Sequence, residues 1–131
     1  MRILFLIVLF CCSHLKSQNL NNKKFYAQIR HSCQATTNGA IDIYTFLVLE
    51  FKNNKIYPSY LTIPSQQQSI KDPINYKFEN KIVYLAKPLD FKEDLGTVFT
   101  YVNENLIPKK KQNESKFIFR PSLDHYFKRN K

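Results

Sequence analysis

Residues 41–51 read IDIYTFLVLEF and decide the fold, because they form the longest apolar run outside the extreme N-terminus. Branched and aromatic side chains dominate this run, and such residues favour a β-strand with a buried face. Residues 25–33 precede it and alternate between apolar and polar positions, as a half-buried strand does. Together the two segments predict a hairpin whose second strand lies at the centre of one small sheet.

Asn38 and Gly39 lie between these segments, and Asn-Gly is a strong signal for a tight hairpin turn. A two-residue loop would leave Leu47 and Leu49 beside polar residues of the first strand. A three-residue loop with Gly39 in a bulge position shifts the pairing by one residue, and we expect this register because it gives one clean apolar face. That face would consist of Phe25, Ala27, Ile29, Ile43, Leu47, Leu49 and Phe51.

Three more strands are predicted before residue 90. An Asn53-Asn54 turn returns the chain along residues 55–63 with Lys52 opposite Lys55, and Pro58 demands an edge position or a bulge because it cannot donate a ladder hydrogen bond. Residues 64–73 are a loop by composition. Residues 74–78 and 81–86 then form a second hairpin around Glu79-Asn80.

The next segment changes period and predicts a helix over residues 91–106. Its apolar positions recur at a spacing of three and four, Asp90 is a suitable N-cap, and Pro108 ends the segment. Gly96 inside it would cost about 1 kcal/mol relative to alanine, and residues 97–102 alone would pass as a strand. The apolar positions are Phe91, Leu95, Val98, Phe99, Val102 and Leu106.

The chain is predicted to end with a short strand at residues 116–120 and a tail that frays or forms one helical turn with Leu123, Tyr126 and Phe127 inward. With 131 residues and 44% hydrophobic content, the chain can build one core and not two. We therefore predict a single α+β domain at residues 19–131. Its antiparallel sheet would have about five or six strands and carry the helix near 91–106; a small all-β barrel is the alternative.

Residues 1–18 carry Arg2 next to the start, an apolar run at residues 3–12 and a short polar end. The run is shorter than the ~20 residues that a membrane-spanning helix needs, and its order is that of a secretory signal peptide. This predicts an exported protein, whether periplasmic, secreted or extracellular, with no transmembrane segment in the mature chain. A buried element of a cytosolic fold is the alternative; a lipoprotein signal at Cys11 or Cys12 fits poorly behind the bulky Phe10.

Cleavage near residues 17–19 would leave Cys33 as the single cysteine of the mature chain, so no internal disulfide could form. Cys33 is either a reactive thiol, including one that bridges to another molecule, or a small half-buried strand residue. No histidine, lysine or arginine stands at a spacing that would lower its pKa by design. The half-buried strand residue is therefore the favoured interpretation.

The chain has 20 basic and 10 acidic residues and a net charge of +10, which biases encounters toward anionic partners. An acidic protein or an anionic envelope surface fits this charge. Nothing in the sequence indicates specific nucleic-acid recognition, since a lysine-rich chain needs no such ligand. The lysine run at residues 109–111 is expected to be a solvated loop rather than an anion clamp.

No motif indicates catalysis, a metal or a cofactor. The sequence has no Cys/His spacing of the metal-binding kind, and its two glycines cannot build a phosphate loop. His125 and Asp124 are adjacent on the tail and are poorly placed to form a triad with a serine. We therefore expect no enzyme, no cofactor and no metal site.

A binding hypothesis remains. In the expected register, the second face of the central hairpin collects aromatic and polar side chains, which is the composition of small-molecule and peptide sites. The candidate ligand-binding residues are Tyr26, Arg30, Tyr44 and Tyr57. The sequence thus favours a small secreted basic protein that acts as a non-catalytic binding or interaction module. The alternatives are a barrel-like carrier of a small ligand and a secreted hydrolase; the tyrosines could also only cap the core beneath the helix.

Overall fold

A computed structural model describes residues 19–127, and this part of the chain is nearly all β. The predicted signal peptide at residues 1–18 lies outside the described residues. Eight antiparallel strands follow one another along the chain, mostly as hairpins. They are β1 Lys24–Thr36, β2 Gly39–Lys52, β3 Lys55–Ile63, β4 Gln67–Ile70, β5 Ile74–Glu79, β6 Ile82–Leu85, β7 Val98–Val102 and β8 Asn105–Pro108.

The strand order in space is β1-β2-β3-β5-β6-β7-β8, with β4 lying beside β3 off this path. Two residues near the C-terminus then join the ends of the sheet. Phe119 and Leu106 of β8 exchange reciprocal backbone hydrogen bonds of 2.8 and 2.9 Å, and Arg120 and Tyr26 of β1 exchange bonds of 2.7 and 2.8 Å. These bonds make the sheet a nearly closed barrel.

The α+β prediction is wrong, because residues 91–106 do not form a helix. Residues 86–97 are irregular, and β7 and β8 form a hairpin around Asn103 and Glu104, which have φ of 49° and 66°. Paired positive φ values define a type I′ turn, which cannot lie inside a helix. Gly96 is also left-handed, at φ 72°. The alternative of a small all-β arrangement is the nearer description.

The apolar spacing predicted a helix because a helix and a β-hairpin would both bury two large core residues of this segment. Phe99 and Leu106 are buried in both interpretations, and both face the core from paired strands here. Val98 and Val102 lie on the other face, and Val102 is exposed. The described helical structure is limited to the short helix α1 at Asp124–Phe127 and two 3-10 turns at Lys109–Lys111 and Ser115–Phe117.

Asparagine starts each of three two-residue hairpin turns. Asn53-Asn54, Asn80-Lys81 and Asn103-Glu104 all have positive φ at both positions. Asparagine tolerates this conformation better than most residues because its short side chain bonds locally. The predicted β2–β3 turn is confirmed; the predicted β5–β6 turn lies one residue later than expected.

The β1–β2 register differs from the predicted one in two places. The loop is Thr37-Asn38, with Thr36 opposite Gly39, and a β-bulge interrupts β1 between Gln28 and Arg30. The two shifts together amount to two residues, so the residues at the base of the hairpin point to the predicted sides of the sheet. The buried residues there are Phe25, Ala27, Leu47, Leu49 and Phe51. Beyond the bulge the face assignment is reversed, as a one-residue shift requires.

The register between β2 and β3 is confirmed, with Lys52 opposite Lys55 and Glu50 opposite Tyr57. Pro58 lies where the outer neighbour of β3 changes. β5 pairs with Lys55 and Ile56, and β4 pairs with β3 from Ser59 onward. The missing N–H of Pro58 therefore falls at a break in the ladder, as its chemistry demands. The predicted loop at 64–73 contains β4, and of the predicted strand at 116–120 only Phe119 and Arg120 pair.

Aromatic rings fill the interior of the barrel. Phe25 and Phe51 pack edge to face at 5.4 Å between ring centroids, and Phe99 and Phe119 at 5.9 Å. The interior is thus a packed core rather than a lumen. Its buried members are Leu20, Phe25, Ala27, Leu47, Leu49, Phe51, Ile56, Ile74, Val83, Leu85, Leu89, Leu95, Phe99, Leu106, Phe117 and Phe119.

The β7–β8 turn provides a test of the fold. Glu104→Gly should stabilise the protein by about 1 kcal/mol, because glycine adopts a positive φ without the steric cost of a side chain. Glu104→Ala is the matched control and should change stability by less than about 0.5 kcal/mol, since alanine keeps the strain. Urea unfolding midpoints measure both. A helix here would give the opposite order, with glycine about 1 kcal/mol worse than alanine.

The closing segment provides a second test. Phe119→Ala should cost about 3–5 kcal/mol, because it leaves a cavity in a filled interior. Ile70→Ala is the control: Ile70 is 70% exposed, and its truncation should cost no more than about 0.5 kcal/mol. Thermal or urea unfolding measures the difference. A small cost at Phe119 would mean that its ring is not part of a tightly packed interior.

Candidate functional site

The outer face of the central strand is covered by the chain's own C-terminal segment. Phe46 on this face is buried, and the rings of Tyr126 and Phe127 from α1 lie against it at centroid distances of 5.1 and 6.0 Å. The Tyr126 hydroxyl donates to the backbone carbonyl of Tyr26 at 2.9 Å. The tail forms the expected helical turn with Leu123 and Tyr126 half-buried, whereas Phe127, also expected to point inward, is 40% exposed.

Beyond this cover, the β1–β2 hairpin continues as a projecting arm, defined here as residues 31–43. The pairing between β2 and β3 ends at Tyr44 opposite Ile63, and the bridge from β1 to the closing segment is at Tyr26. Within the part of the chain that the structure describes, no third strand pairs with the arm. Both of its edges therefore present backbone N–H and C=O groups to solvent.

The arm has few charges although the whole chain is rich in them. Between residues 31 and 43 the sequence contains no lysine, arginine or glutamate, and its one acidic residue is Asp42. Most arm residues are exposed, including Cys33 and Ile41, whose exposed fraction is 45%. Edge strands in soluble proteins are normally protected from pairing by charges, prolines or bulges. The outer half of the arm carries none of these devices.

The base of the arm is held by stacked rings. His31 stacks on Tyr44 at 4.6 Å with an angle of 3° between the rings, and Phe127 of α1 meets Tyr44 edge to face at 5.2 Å. His31 Nε2 lies 3.1 Å from a carboxylate oxygen of Asp42 on the neighbouring strand. At the tip, the Thr36 hydroxyl donates to the carbonyl of Gly39, which has φ of 127°. The arm is thus fixed at both ends by local contacts.

The predicted site residues do not converge. Tyr57 lines an open hollow of about 250 Å³ with Lys24, Glu50 and others, and Tyr26 lines a neighbouring hollow of about 320 Å³. Tyr44 lies apart from both, at the base of the arm. Arg30 is opposite Thr45 and therefore faces the other side of the sheet from Tyr44. The prediction of one site formed by all four residues is not supported by their positions.

The bulge between Gln28 and Arg30 explains why Arg30 is separated from Tyr44. It shifts β1 by one residue, so that His31 and not Arg30 shares a face with Tyr44. Cys33, which lies opposite Asp42, is exposed rather than half-buried as we expected. The sequence carries no residue that announces a bulge at Ile29. The sequence signal that could have indicated the arm is the long run without formal charge between Arg30 and Asp42.

The lysine run at residues 109–111 is engaged with carboxylates. Lys110 pairs with Asp94, and Lys111 lies 3.3 Å from Glu114. The side-chain hydrogen bond from Lys110, followed by the backbone N–H of Gly96, lowers the pKa of Asp94. Two of the three lysines are therefore already partnered, which agrees with a solvated segment rather than an anion clamp.

Residues 19–127 contain no helix long and apolar enough to span a membrane. Over the same residues, no group of three or more His, Cys, Asp and Glu side chains is arranged to hold a metal ion. Comparison with family models, curated proteins and solved structures finds no match to this chain. Function must therefore be argued from the geometry of the molecule.

The cover over Phe46 can be tested through one hydroxyl. Tyr126→Phe should cost about 1 kcal/mol, because it removes the hydrogen bond to the Tyr26 carbonyl while keeping the ring packing. Tyr84→Phe is the control, since Tyr84 is exposed. Urea unfolding compares the two variants. Equal stabilities for both variants and the wild type would contradict docking of α1 through Tyr126.

The same hydroxyl gives a pH dependence. Burial raises the pKa of Tyr126 above its ordinary value of 10.0. The stabilisation from the neutral hydroxyl is thus complete below the unfolded-state pKa and is lost as pH rises through the folded-state pKa. The advantage of wild type over Tyr126→Phe should be constant near neutral pH and decline above about pH 10. Unfolding midpoints at increasing pH measure it; an advantage that persists through the alkaline range contradicts it.

Proposed function

We propose that this protein is a non-catalytic interaction module that binds an extended polypeptide by strand addition along the arm. The observation that carries the proposal is the pair of open strand edges on residues 31–43. In strand addition, backbone hydrogen bonds supply the affinity, and side chains on alternate positions supply selectivity. A binding site of this kind needs no deep pocket and no catalytic residues.

Stability favours a partner for the arm. A two-stranded ribbon is marginal in water by itself, and three or more strands with an apolar face are needed for independent stability. The arm is held at its base by the His31–Tyr44 stack, and one of its faces carries exposed Ile41 and half-buried Ile43. An added strand would satisfy backbone groups along one edge and cover part of this apolar surface.

The other two functional classes have weaker support. A carrier of a small apolar ligand needs an internal cavity, whereas buried rings such as Phe51, Phe99 and Phe119 occupy the barrel interior. A hydrolase needs a nucleophile, a base and oxyanion donors that converge on one atom. The His31–Asp42 pair lies on an open ribbon, with side chains about half exposed. The basic surface and the expected export fit an interaction role without identifying the partner.

The proposal is tested with an arm-deleted variant. Replacing residues 32–43 by Asn-Gly joins His31 to Tyr44 through a two-residue hairpin loop, which keeps the ring stack at the base. This variant should fold with nearly the same urea midpoint as the wild type, because the residues removed lie outside the core.

Wild type and the arm-deleted variant are then used to select from a displayed library of short random peptides. Peptides that bind the wild type should be rich in β-branched and aromatic residues. They should fail to bind the variant and should slow amide hydrogen exchange in residues 31–43. A selection that yields no peptide, or only peptides that bind both proteins equally, would refute strand addition at the arm.

A further inference from the structure

We infer that the strand that occupies the β1 edge of the arm is the β1 edge of a second copy of this chain. The two β1 strands would pair antiparallel about a two-fold axis at Cys33, which is the central residue of the segment 30–36. This inference rests on the proposed function and identifies its partner. The β2 edge of each arm would remain open.

The β1 edge is complementary to itself in this register. Arg30 of one copy comes opposite Thr36 of the other, His31 opposite Ala35, and Ser32 opposite Gln34, while the two Cys33 residues meet at the axis. Like charges directly opposite each other destabilise strand pairs, and this register contains no such pair. An isologous two-fold contact requires a self-complementary edge of this kind.

Electrostatics allows two copies to meet at the arms although the chain is strongly basic. With a net charge of +10, two bodies repel each other wherever their lysine-bearing surfaces approach. Pairing through the arms leaves each body at its own end of the shared segment. Seven residues of strand span roughly 24 Å at about 3.4 Å per residue, whereas the Debye length is about 8 Å at physiological salt. Screening therefore removes most of the repulsion between the bodies.

Pairing also completes the sheet. The two arms together would form a four-stranded antiparallel sheet in the order β2-β1-β1-β2, in place of two ribbons that are each marginal. This pairing would explain why the outer half of β1 is uncharged, because a lysine there would lie against the second copy and oppose the pairing. Lysines are the common protection of an edge that must not pair.

Charge variants at Cys33 test the arrangement, with sedimentation equilibrium as the readout. Wild type and Cys33→Ser should both form dimers, because pairing of the backbones does not need the thiol. Cys33→Lys and Cys33→Asp should each weaken the dimer by about tenfold or more, since two like charges face each other at the axis. An equimolar mixture of the two charged variants should recover a dimer, because opposite charges then meet.

Salt and arm deletion complete the test. Association of wild type should strengthen between about 10 mM and 150 mM salt, as screening reduces the repulsion between basic bodies; docking to an acidic partner would weaken instead. A wild type that is monomeric at all concentrations overturns the inference, even if selected peptides bind the arm. A dimer that survives arm deletion, or one that Cys33→Lys and Cys33→Asp leave unchanged, also overturns it.

Discussion

Four backbone hydrogen bonds at Phe119 and Arg120 are the constraint on which the rest of the structure depends. They connect β8 to β1, so that neither strand remains an open edge within the barrel. The Phe119 ring enters the interior at the same point and packs on Phe99. Closure and core filling are therefore coupled: the segment that supplies the last backbone pairs also supplies one of the buried rings.

The same segment directs the C-terminus onto the outer face. The Tyr26 carbonyl accepts a bond of 2.8 Å from the Arg120 N–H and a bond of 2.9 Å from the Tyr126 hydroxyl. A carbonyl oxygen has two lone pairs, and here both have donors. Tyr26, a candidate ligand-binding residue because of its ring, contributes to the structure through its backbone carbonyl. Its ring lines a shallow hollow.

The bulge in β1 separates the hairpin into two parts with different chemistry. Before the bulge, alternate residues of β1 enter the core. After it, the register of β1 is shifted by one residue, and the β1–β2 hairpin extends past Tyr44, where the pairing of β2 with β3 ends. The barrel is stabilised by rings and by closure, whereas the arm has the His31–Tyr44 stack, the side-chain contact between His31 and Asp42, and its own ladder. A molecule with this division has a rigid body and an edge that is free to pair. The arm at residues 31–43 contains no lysine. The basic surface and the edge that can pair with another strand are therefore different parts of the molecule.

The sequence by itself determined the central strand, the pairing of β2 with β3 and the apolar face at the base of the β1–β2 hairpin. Alternation of residues such as Phe25, Leu47 and Phe51 and the Asn53-Asn54 turn are local signals, and local signals fix local pairing. Only the tertiary structure decided that residues 98–108 form a hairpin instead of belonging to a helix over 91–106, since Phe99 and Leu106 satisfy helical and strand periods alike. Only it placed the bulge that moves Arg30 away from Tyr44, and only it showed that no third strand among residues 19–127 pairs with the arm. Such features depend on which distant segments pair, as Arg120 does with Tyr26. The spacing of neighbouring residues does not contain this information.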